Sequence, residues 1–147
     1  DRSPRNTKGN TMNIEVKASW IKALRSGEYK QGFKTLHSSD GCFCALGVLC
    51  DVYAKQFGYE WEDNYSVTTP SGTMVVFSLK HVLSNNDVVY SYSVPQRPIS
   101  EWAGVTENPW IHATTPEGVR GTFLVSELND KFKLSFAEIA TLIEEQL

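Results

Sequence analysis

The sequence lacks several features that would place it in a familiar class of protein. No run approaches the roughly 18 consecutive apolar residues that cross a bilayer, and no charged-then-apolar signal segment opens the chain. Its 147 residues include three cysteines, an odd number without the spacing of a disulfide framework. These absences favour a protein of a reducing compartment, and they predict that it has no membrane partner.

The chain also lacks the local motifs of common nucleotide-binding and hydrolytic sites. Its glycines are dispersed, so no glycine-rich loop is available to cradle a phosphate group. It has no Gly-x-Ser-x-Gly elbow and no His-Glu-x-x-His helix. A structural zinc ion needs four converging ligands. Here a single residue separates Cys42 from Cys44, and Cys50 falls on another face of the predicted helix. We therefore predict neither a metal ion nor a cofactor.

Basic residues are too few to indicate nucleic-acid binding. Residues 1–11 hold three basic side chains and one acidic, which leaves 11 basic and 16 acidic, a net charge of −5, for residues 12–147. Nucleic-acid affinity depends on neutralising phosphates, so we predict no nucleic-acid partner. Residues 1–11 also lack a large apolar side chain. We interpret them as a leader or flexible tail before one globular domain over residues 12–147.

What the sequence does contain is enough apolar surface for a core. Hydrophobic residues make up 41% of the chain and aromatic residues 12%, unlike the composition of a disordered protein. The segment CFCALGVLCDVYAKQF predicts a helix over 43–57 that is covered on several sides. Gly47 in its middle costs about 1 kcal/mol relative to alanine, which predicts that a neighbouring element approaches it closely.

Two further helices are indicated near the ends of the domain. The spacing of Val16, Trp20 and Leu24 predicts a helix over 14–26. Ser135 and Glu138 have the spacing of a capping box, which predicts the start of a helix over 135–146. Together with the central helix, these give three main helices.

A small antiparallel sheet completes the prediction. Runs of β-forming residues at 73–79 and 88–94 flank a turn at Asn85-Asn86-Asp87. Between the main elements we expect an extended stretch at 33–36, a helical turn at 100–103, an irregular segment over 106–121 and a short helix over 122–129. The predicted fold is α+β, with three main helices around a buried central one.

Cys44 is the candidate nucleophile. It falls at the predicted N-terminus of the central helix, where the helix dipole and free N–H groups lower the pKa of a thiol. A cysteine-dependent hydrolase or transferase would also need a histidine base, and His37, His81 and His112 are available. We take Cys44 with His112 as the alternative catalytic pair. Burial would oppose this role, because it raises the pKa of a thiol.

Asp51 is the candidate anchor of a ligand site. It follows Cys44 along one stripe of a helix whose other faces are apolar, so its carboxylate is either at the rim of the core or buried and paired. For the buried alternative, Arg25, Arg97 or Arg120 is the expected partner, and such a pair would mark a site.

Two tryptophans add to this candidate set. Trp102 and Trp110 flank a proline-containing segment and are placed to line a groove. Asn129 and Asp130 lie between two helices, where we expect a turn or capping role. The predicted ligand-binding residues are Asp51, Arg97, Trp102, Trp110 and Arg120.

The two ends of the chain resemble a known group of sequences. ALRSGEYKQG at 23–32 with CFCALGVLCD at 42–51, and SELND-x4-SFAEIATLIEEQL at 126–147, are similar to small uncharacterised proteins of bacteriophage and prophage genomes. The resemblance carries no assigned activity or catalytic residue. It implies a phage-borne accessory protein in the host cytoplasm, and small acidic phage proteins of that kind often act by binding, frequently against host defence.

Three classes of function follow from these observations. The first is a non-catalytic accessory protein that binds a host protein or a small ligand, nucleotide-like ligands included. The second is a thiol enzyme that uses Cys44, and the third is a structural virion component, which would assemble at high concentration. A catalytic thiol should react fast, whereas the cysteines of a binding protein should be inert until the protein unfolds.

Overall fold

The computed structural model describes residues 12–147, so the leader predicted at 1–11 lies outside the described residues. Over this range the chain is α+β, as predicted, with five helices. They are α1 (Ile14–Arg25), α2 (Ala45–Phe57), α3 (Ile99–Ala103), α4 (Val125–Asp130) and α5 (Phe136–Gln146). None of the helices in this part of the chain is long and apolar enough to cross a membrane.

The strands described over the same range form three small sheets. A parallel pair joins β1 (Lys30–Gln31) to β2 (Cys42–Phe43), and an antiparallel sheet has the order β3 (Glu62–Thr69), β4 (Gly72–Val82), β5 (Val88–Ser91). A separate hairpin pairs β6 (Trp110–Thr114) with β7 (Arg120–Leu124). The predicted antiparallel sheet corresponds to β4 and β5, which β3 extends at one edge.

The helices predicted over 14–26 and 135–146 are present as α1 and α5. Asn13 caps α1, since its Oδ1 accepts hydrogen bonds from the backbone N–H groups of Glu15 and Val16. At the start of α5, the Ser135 hydroxyl accepts from the Glu138 N–H, and the Glu138 carboxylate accepts from the Ser135 N–H. This reciprocal capping box satisfies two backbone donors that a helix end otherwise leaves unpaired.

Nine residues of α2 are buried, and this helix packs against α1 and α4, while α5 packs against α1. From Ala45 through Asp51 every residue of α2 is buried, and Trp20 from α1 donates its indole N–H to the Ala45 carbonyl oxygen at 2.9 Å. The helix begins two residues later than predicted, because Cys44 has an extended backbone and acts as the N-cap. Because Cys44 precedes the helix, its thiol can accept a hydrogen bond from the Gly47 N–H in the first turn.

Two predictions for the later part of the domain are wrong. The segment 106–121, expected to be irregular, contains β6 and the start of β7, and the helix expected over 122–129 begins only at Val125. Ile111 pairs with Phe123 across the hairpin. The turn residues Pro116 and Gly118 interrupt the apolar pattern, so the short strands on either side give no clear period-2 alternation.

The extended stretch predicted at 33–36 forms no strand either. Lys34 has a positive φ of 73°, a conformation that does not continue a β-strand. Its backbone N–H instead binds the Asp130 carboxylate at 2.9 Å. This segment therefore bends over the start of α2, and it carries His37 to the site described next.

Candidate functional site

Cys44 is buried and protonated at neutral pH. Its Sγ accepts a hydrogen bond from the Gly47 N–H at 3.4 Å. Burial raises the pKa of the Cys44 thiol to about 12, although that hydrogen bond acts in the opposite direction. Within residues 12–147 no hydrogen bond joins Cys44 to His112, whose Nδ1 lies 2.8 Å from the Thr122 hydroxyl. The structure therefore does not bring the predicted catalytic pair together.

Asn129 lies at the start of α2, where a helix has backbone N–H groups without partners inside the helix. It is fully buried, and its Oδ1 accepts from the Ala45 N–H at 3.1 Å and from Gln31 Nε2 at 2.9 Å. Its Nδ2 donates to the Gly32 carbonyl oxygen and to the Asp130 carboxylate. The prediction that Asn129 lies in a turn between two helices is wrong, because Asn129 is inside α4. Its side chain instead binds the first N–H of α2, 84 residues away in sequence.

Asp51 is buried and paired, the second of the two alternatives that its sequence position allowed. Its side chain accepts hydrogen bonds from the Tyr29 hydroxyl at 2.6 Å and from Trp61 Nε1 at 3.0 Å. Lys55, one turn further along α2, places its Nζ 3.3 Å from Oδ2. Both carboxylate oxygens therefore have donors, as a buried charge requires.

The expectation that an arginine pairs with Asp51 is wrong. Arg25 lies at the end of α1 and reaches Glu144 on α5, with Nη2 and Oε1 3.1 Å apart. Among residues 12–147, neither Arg97 nor Arg120 contacts Asp51. Lysine at position i+4 of the same helix supplies the cation instead, at the spacing that ion pairs on helices favour.

Five aromatic rings gather beside this carboxylate. His37 stacks on Phe43 with ring centroids 3.7 Å apart and planes 7° apart. Trp61 meets His37 edge-on at 5.1 Å, Tyr29 meets Phe43 edge-on at 5.0 Å, and Phe77 is tilted against His37 at 4.9 Å. All five rings are half-buried. We call these residues the Asp51 cluster: Tyr29, His37, Phe43, Asp51, Trp61 and Phe77.

The protonation states of the cluster follow from its burial. Burial lowers the pKa of His37, more than the Cys42 carbonyl and the carboxylate of Asp51 raise it, so the imidazole is neutral at pH 7. His37 Nδ1 lies 2.9 Å from the Cys42 carbonyl oxygen, an acceptor, so Nδ1 carries the proton and Nε2 the lone pair. Burial, aided by the hydrogen bond to Asp51, raises the pKa of Tyr29, which keeps its phenol protonated.

This arrangement combines flat apolar faces with a hydrogen-bond acceptor at one place on the surface. Half-exposed rings offer stacking area, and the neutral His37 offers an acceptor nitrogen. Such a surface favours a planar molecule that stacks and donates hydrogen bonds.

Comparison with known sequences places the chain in a family. A model described as Domain of unknown function (DUF8296) matches residues 12–147, the range that the structure describes. The chain belongs to the DUF8296 family. No curated protein matches the chain, and no solved structure does.

The other predicted ligand-binding residues of this DUF8296 domain lie outside the Asp51 cluster. Trp102 is half-buried on α3 and meets Tyr53 and Phe57 edge-on, with centroid distances of 5.1 and 6.0 Å. Arg97 is exposed, two residues before α3. The structure therefore does not assemble Asp51, Trp102 and Arg97 into one site.

A second group of predicted residues lies at the β6–β7 hairpin. His112 and Arg120 line a groove of about 550 Å³ that Gln146 of α5 closes on one side. The side chain of Gln146 bonds both the N–H and the carbonyl oxygen of His112. Trp110 begins β6 opposite Leu124. This groove brings His112 and Arg120 together without a cysteine in its lining.

His81, the third histidine considered as a base, is buried between Tyr53 and Tyr59. Burial lowers the pKa of His81, so it is neutral at pH 7. Neither ring nitrogen has a hydrogen-bond partner among the described residues. Within residues 12–147 no group of three or more histidine, cysteine or acidic side chains is arranged to hold a metal ion.

Sequence reasoning missed most of the cluster that surrounds Asp51. Tyr29 and His37 come from the one segment that connects the first two predicted helices, Trp61 comes from the stretch before the predicted sheet, and none shares a local motif with Asp51. A signal was nevertheless present, because a carboxylate on an apolar helix needs donors, and tyrosine and tryptophan supply a donor on an apolar ring.

Proposed function

We propose that this DUF8296 domain acts by binding, and that the Asp51 cluster holds a small planar ligand of the nucleobase type. The observation that carries the proposal is the set of half-buried rings beside a buried carboxylate. A base stacked on one aromatic side chain gains about 1 to 3 kcal/mol. The Nε2 lone pair of His37 would accept a hydrogen bond from an exocyclic amino group of such a ligand.

The biological setting of this proposal comes from the resemblance of the chain's two ends to phage proteins. We propose a phage accessory protein of the host cytoplasm, acting against host defence, with a host protein as its alternative partner. The proposal includes the arrangement of three main helices around the central one, since α2 carries Asp51 and Lys55. A virion component would instead assemble at high concentration.

The buried thiol supports binding over catalysis at Cys44. A nucleophilic cysteine needs a stabilised thiolate, and burial raises the pKa of Cys44 to about 12. In the first turn of α2, the Gly47 N–H donates to Cys44 Sγ and the Ala45 N–H donates to Asn129, so neither is available to a substrate. A hydrolase or transferase that uses Cys44 remains the alternative function, and its test is the thiol reactivity described in the Discussion.

The proposed ligand can be tested with free nucleobases and nucleosides as probes. Titration followed by isothermal calorimetry should show binding of at least one of them to the protein. Trp61→Ala should weaken that binding about tenfold or more, since it removes one stacking ring. Tyr90→Ala is the matched control, because Tyr90 is an exposed ring on β5 outside the cluster.

Circular dichroism would establish that each variant is folded before its affinity is compared. If none of the bases or nucleosides binds, or if Trp61→Ala and Tyr90→Ala bind them equally well, the proposed ligand class is wrong. Asp51→Asn, which keeps the shape of the side chain, would show separately whether the negative charge is needed.

A further inference from the structure

A second surface lies between α1 and α5 and shares no residue with the Asp51 cluster. It is a groove of about 740 Å³ whose lining includes Ile14, Lys17, Ile21, Lys22, Arg25 and Glu144. The five α1 positions follow the helical repeat i, i+3, i+7, i+8, i+11, so they form one continuous stripe. The opposite stripe of α1, with Val16, Trp20 and Leu24, packs into the core.

The floor of this groove is apolar and partly uncovered. Ile14 is 80% exposed, the largest exposed fraction among the large hydrophobic side chains of residues 12–147. Ile21 lies at the bottom, only 8% exposed, and Ala18 between them is open to solvent. An isoleucine left this open at the mouth of a groove leaves apolar area that a partner can bury.

The rim carries a charge opposite in sign to that of the domain. Lys17, Lys22 and Arg25 line the groove against one acid, Glu144, whereas residues 12–147 as a whole have a net charge of −5. Glu144 is already engaged, because Arg25 lies 3.1 Å away and lowers the pKa of its carboxyl, with a smaller effect from Lys17. The two lysines therefore face the groove without an acid of their own in its lining.

We infer that this groove docks an acidic amphipathic helix of a partner protein. α1 has 12 residues, about 18 Å of helix, which matches about three turns of a partner. Apolar side chains of that helix at i, i+3, i+4 and i+7 would cover Ile14 and Ile21, and its flanking acids would meet Lys17 and Lys22.

Other occupants fit the groove less well. Residues 1–11 hold three basic side chains and one acidic, with no large apolar side chain, so they match neither the rim nor the floor. Anionic membrane surfaces are typically bound by about four to eight clustered basic side chains, whereas this lining has Lys17, Lys22 and Arg25, and Arg25 is already paired with Glu144. Phosphates of a nucleic acid would leave the apolar floor uncovered.

A designed peptide tests the inference directly. The probe is a fluorescein-labelled 14-residue helix of leucine, alanine and glutamate with leucine at i, i+3, i+4 and i+7, and its counterpart has every glutamate replaced by lysine. Fluorescence anisotropy on the full chain should show salt-sensitive binding of the acidic peptide alone. The double variant Lys17→Glu/Lys22→Glu should weaken it about tenfold or more, since attraction becomes repulsion.

One single variant and two controls locate the contact. Ile14→Ser should also weaken the binding of the acidic peptide. Because Ile14 is largely exposed, this substitution should leave the fold intact. Lys80→Glu, an exposed charge reversal on β4, should bind like the unmodified protein. Trp61→Ala should also bind the peptide normally, so this experiment succeeds or fails independently of the ligand proposed for the Asp51 cluster.

Several results would overturn the inference. The inference is wrong if the acidic peptide does not bind, or if the basic peptide binds as tightly as the acidic one. It is also wrong if Lys80→Glu weakens the binding of the acidic peptide as much as the double lysine variant does. Sedimentation that reveals a dimer abolished by Ile14→Ser would assign the groove to a second copy of the chain. Co-sedimentation with phosphatidylserine vesicles that is lost in the double lysine variant would assign it to a membrane surface.

Discussion

The α-carbon of Gly47 lies directly against the backbone of Leu36. A β-carbon built at Gly47 would be 1.8 Å from the Leu36 carbonyl oxygen, well inside any real contact. The same carbonyl accepts a hydrogen bond from the Cys44 N–H at 3.3 Å. The sequence predicted that a neighbouring element approaches Gly47 closely, and that element is the backbone at Leu36. Since His37 follows Leu36, the glycine also sets the position of one wall of the Asp51 cluster.

Gly47→Ala should destabilise the protein even though alanine is the better helix former. The intrinsic gain is about 1 kcal/mol, whereas the added carbon meets backbone that can move only by shifting the 36–37 segment. We expect a net loss of about 2 kcal/mol or more in the free energy of unfolding, measured by urea denaturation. Ala18→Gly, the reverse change at an exposed helical position, should cost about 1 kcal/mol. A stabilised Gly47→Ala protein would contradict the close contact.

Leu49→Ala should create a cavity in the core. Leu49 is fully buried on α2, and truncation of such a leucine costs about 2 to 5 kcal/mol. Chemical denaturation gives the value, and Val82→Ala, at an exposed position on β4, should change stability by less than about 0.5 kcal/mol. A loss below about 1 kcal/mol for Leu49→Ala would show that α2 is not at the centre of the core.

Asn129→Leu should be among the most destabilising single changes in the domain. It leaves the buried N–H of Ala45 and the carbonyl oxygen of Gly32 without their partners, and each buried unsatisfied group costs about 1 to 3 kcal/mol. Asn108→Leu is the comparison, because within residues 12–147 the side chain of Asn108 bonds to Ser126 alone, and Asn108 is half-buried. Similar unfolding midpoints for the two variants would argue against a stabilising role for the bond between Asn129 and the Ala45 N–H.

Cys44 should resist alkylation in the folded protein. With a thiol pKa of about 12, about one molecule in 10,000 carries the thiolate at pH 8. Iodoacetamide labelling followed by mass spectrometry should find no fast thiol, with Cys42 and Cys50 as internal controls and full labelling in urea. A thiol that titrates below pH 7, is lost in Cys44→Ser and shifts when His112 is replaced would establish the enzyme instead.

The same thiol makes stability depend on alkaline pH. Its pKa rises from 9.0 to about 12 on folding, so between these values the unfolded chain loses a proton that the folded chain keeps. The stabilisation is fully present below pH 9 and is lost as the pH rises toward 12. Cys44→Ala should show a shallower fall in its urea midpoint across this window, and an unchanged slope would mean that burial does not hold the proton.

The sequence predicts those parts of this fold that depend on local signals. The 3.6-residue spacing of Val16, Trp20 and Leu24 and the Ser135–Glu138 box locate α1 and α5, because each signal lies within its own helix. β3 gives no such signal. It is an edge strand with seven of its eight residues exposed, so nothing selects an alternation of apolar and polar side chains.

The candidate site was harder to predict because its partners are distant in sequence. Asp51 is recognisable as an anomaly on an apolar helix, but its donors come from residues 22 positions before it and 10 after it. Arginine was a reasonable expectation for a buried carboxylate. The fold instead supplies a phenol, an indole and a lysine, a choice that depends on how the 26–44 segment and β3 cross α2.

The hydrogen bond between Asn129 and the first turn of α2 also bears on how the protein is made. A ribosome releases the chain from its amino terminus, and Asn129 follows Ala45 by 84 residues. The helix α2 therefore emerges from the ribosome long before the Asn129 amide that binds its first turn. The packing at the start of α2 can be completed only when that later segment has been made. A nascent or prematurely ended chain that stops short of Asn129 lacks the native start of α2, and with it the support beneath Gly32 and Gln31.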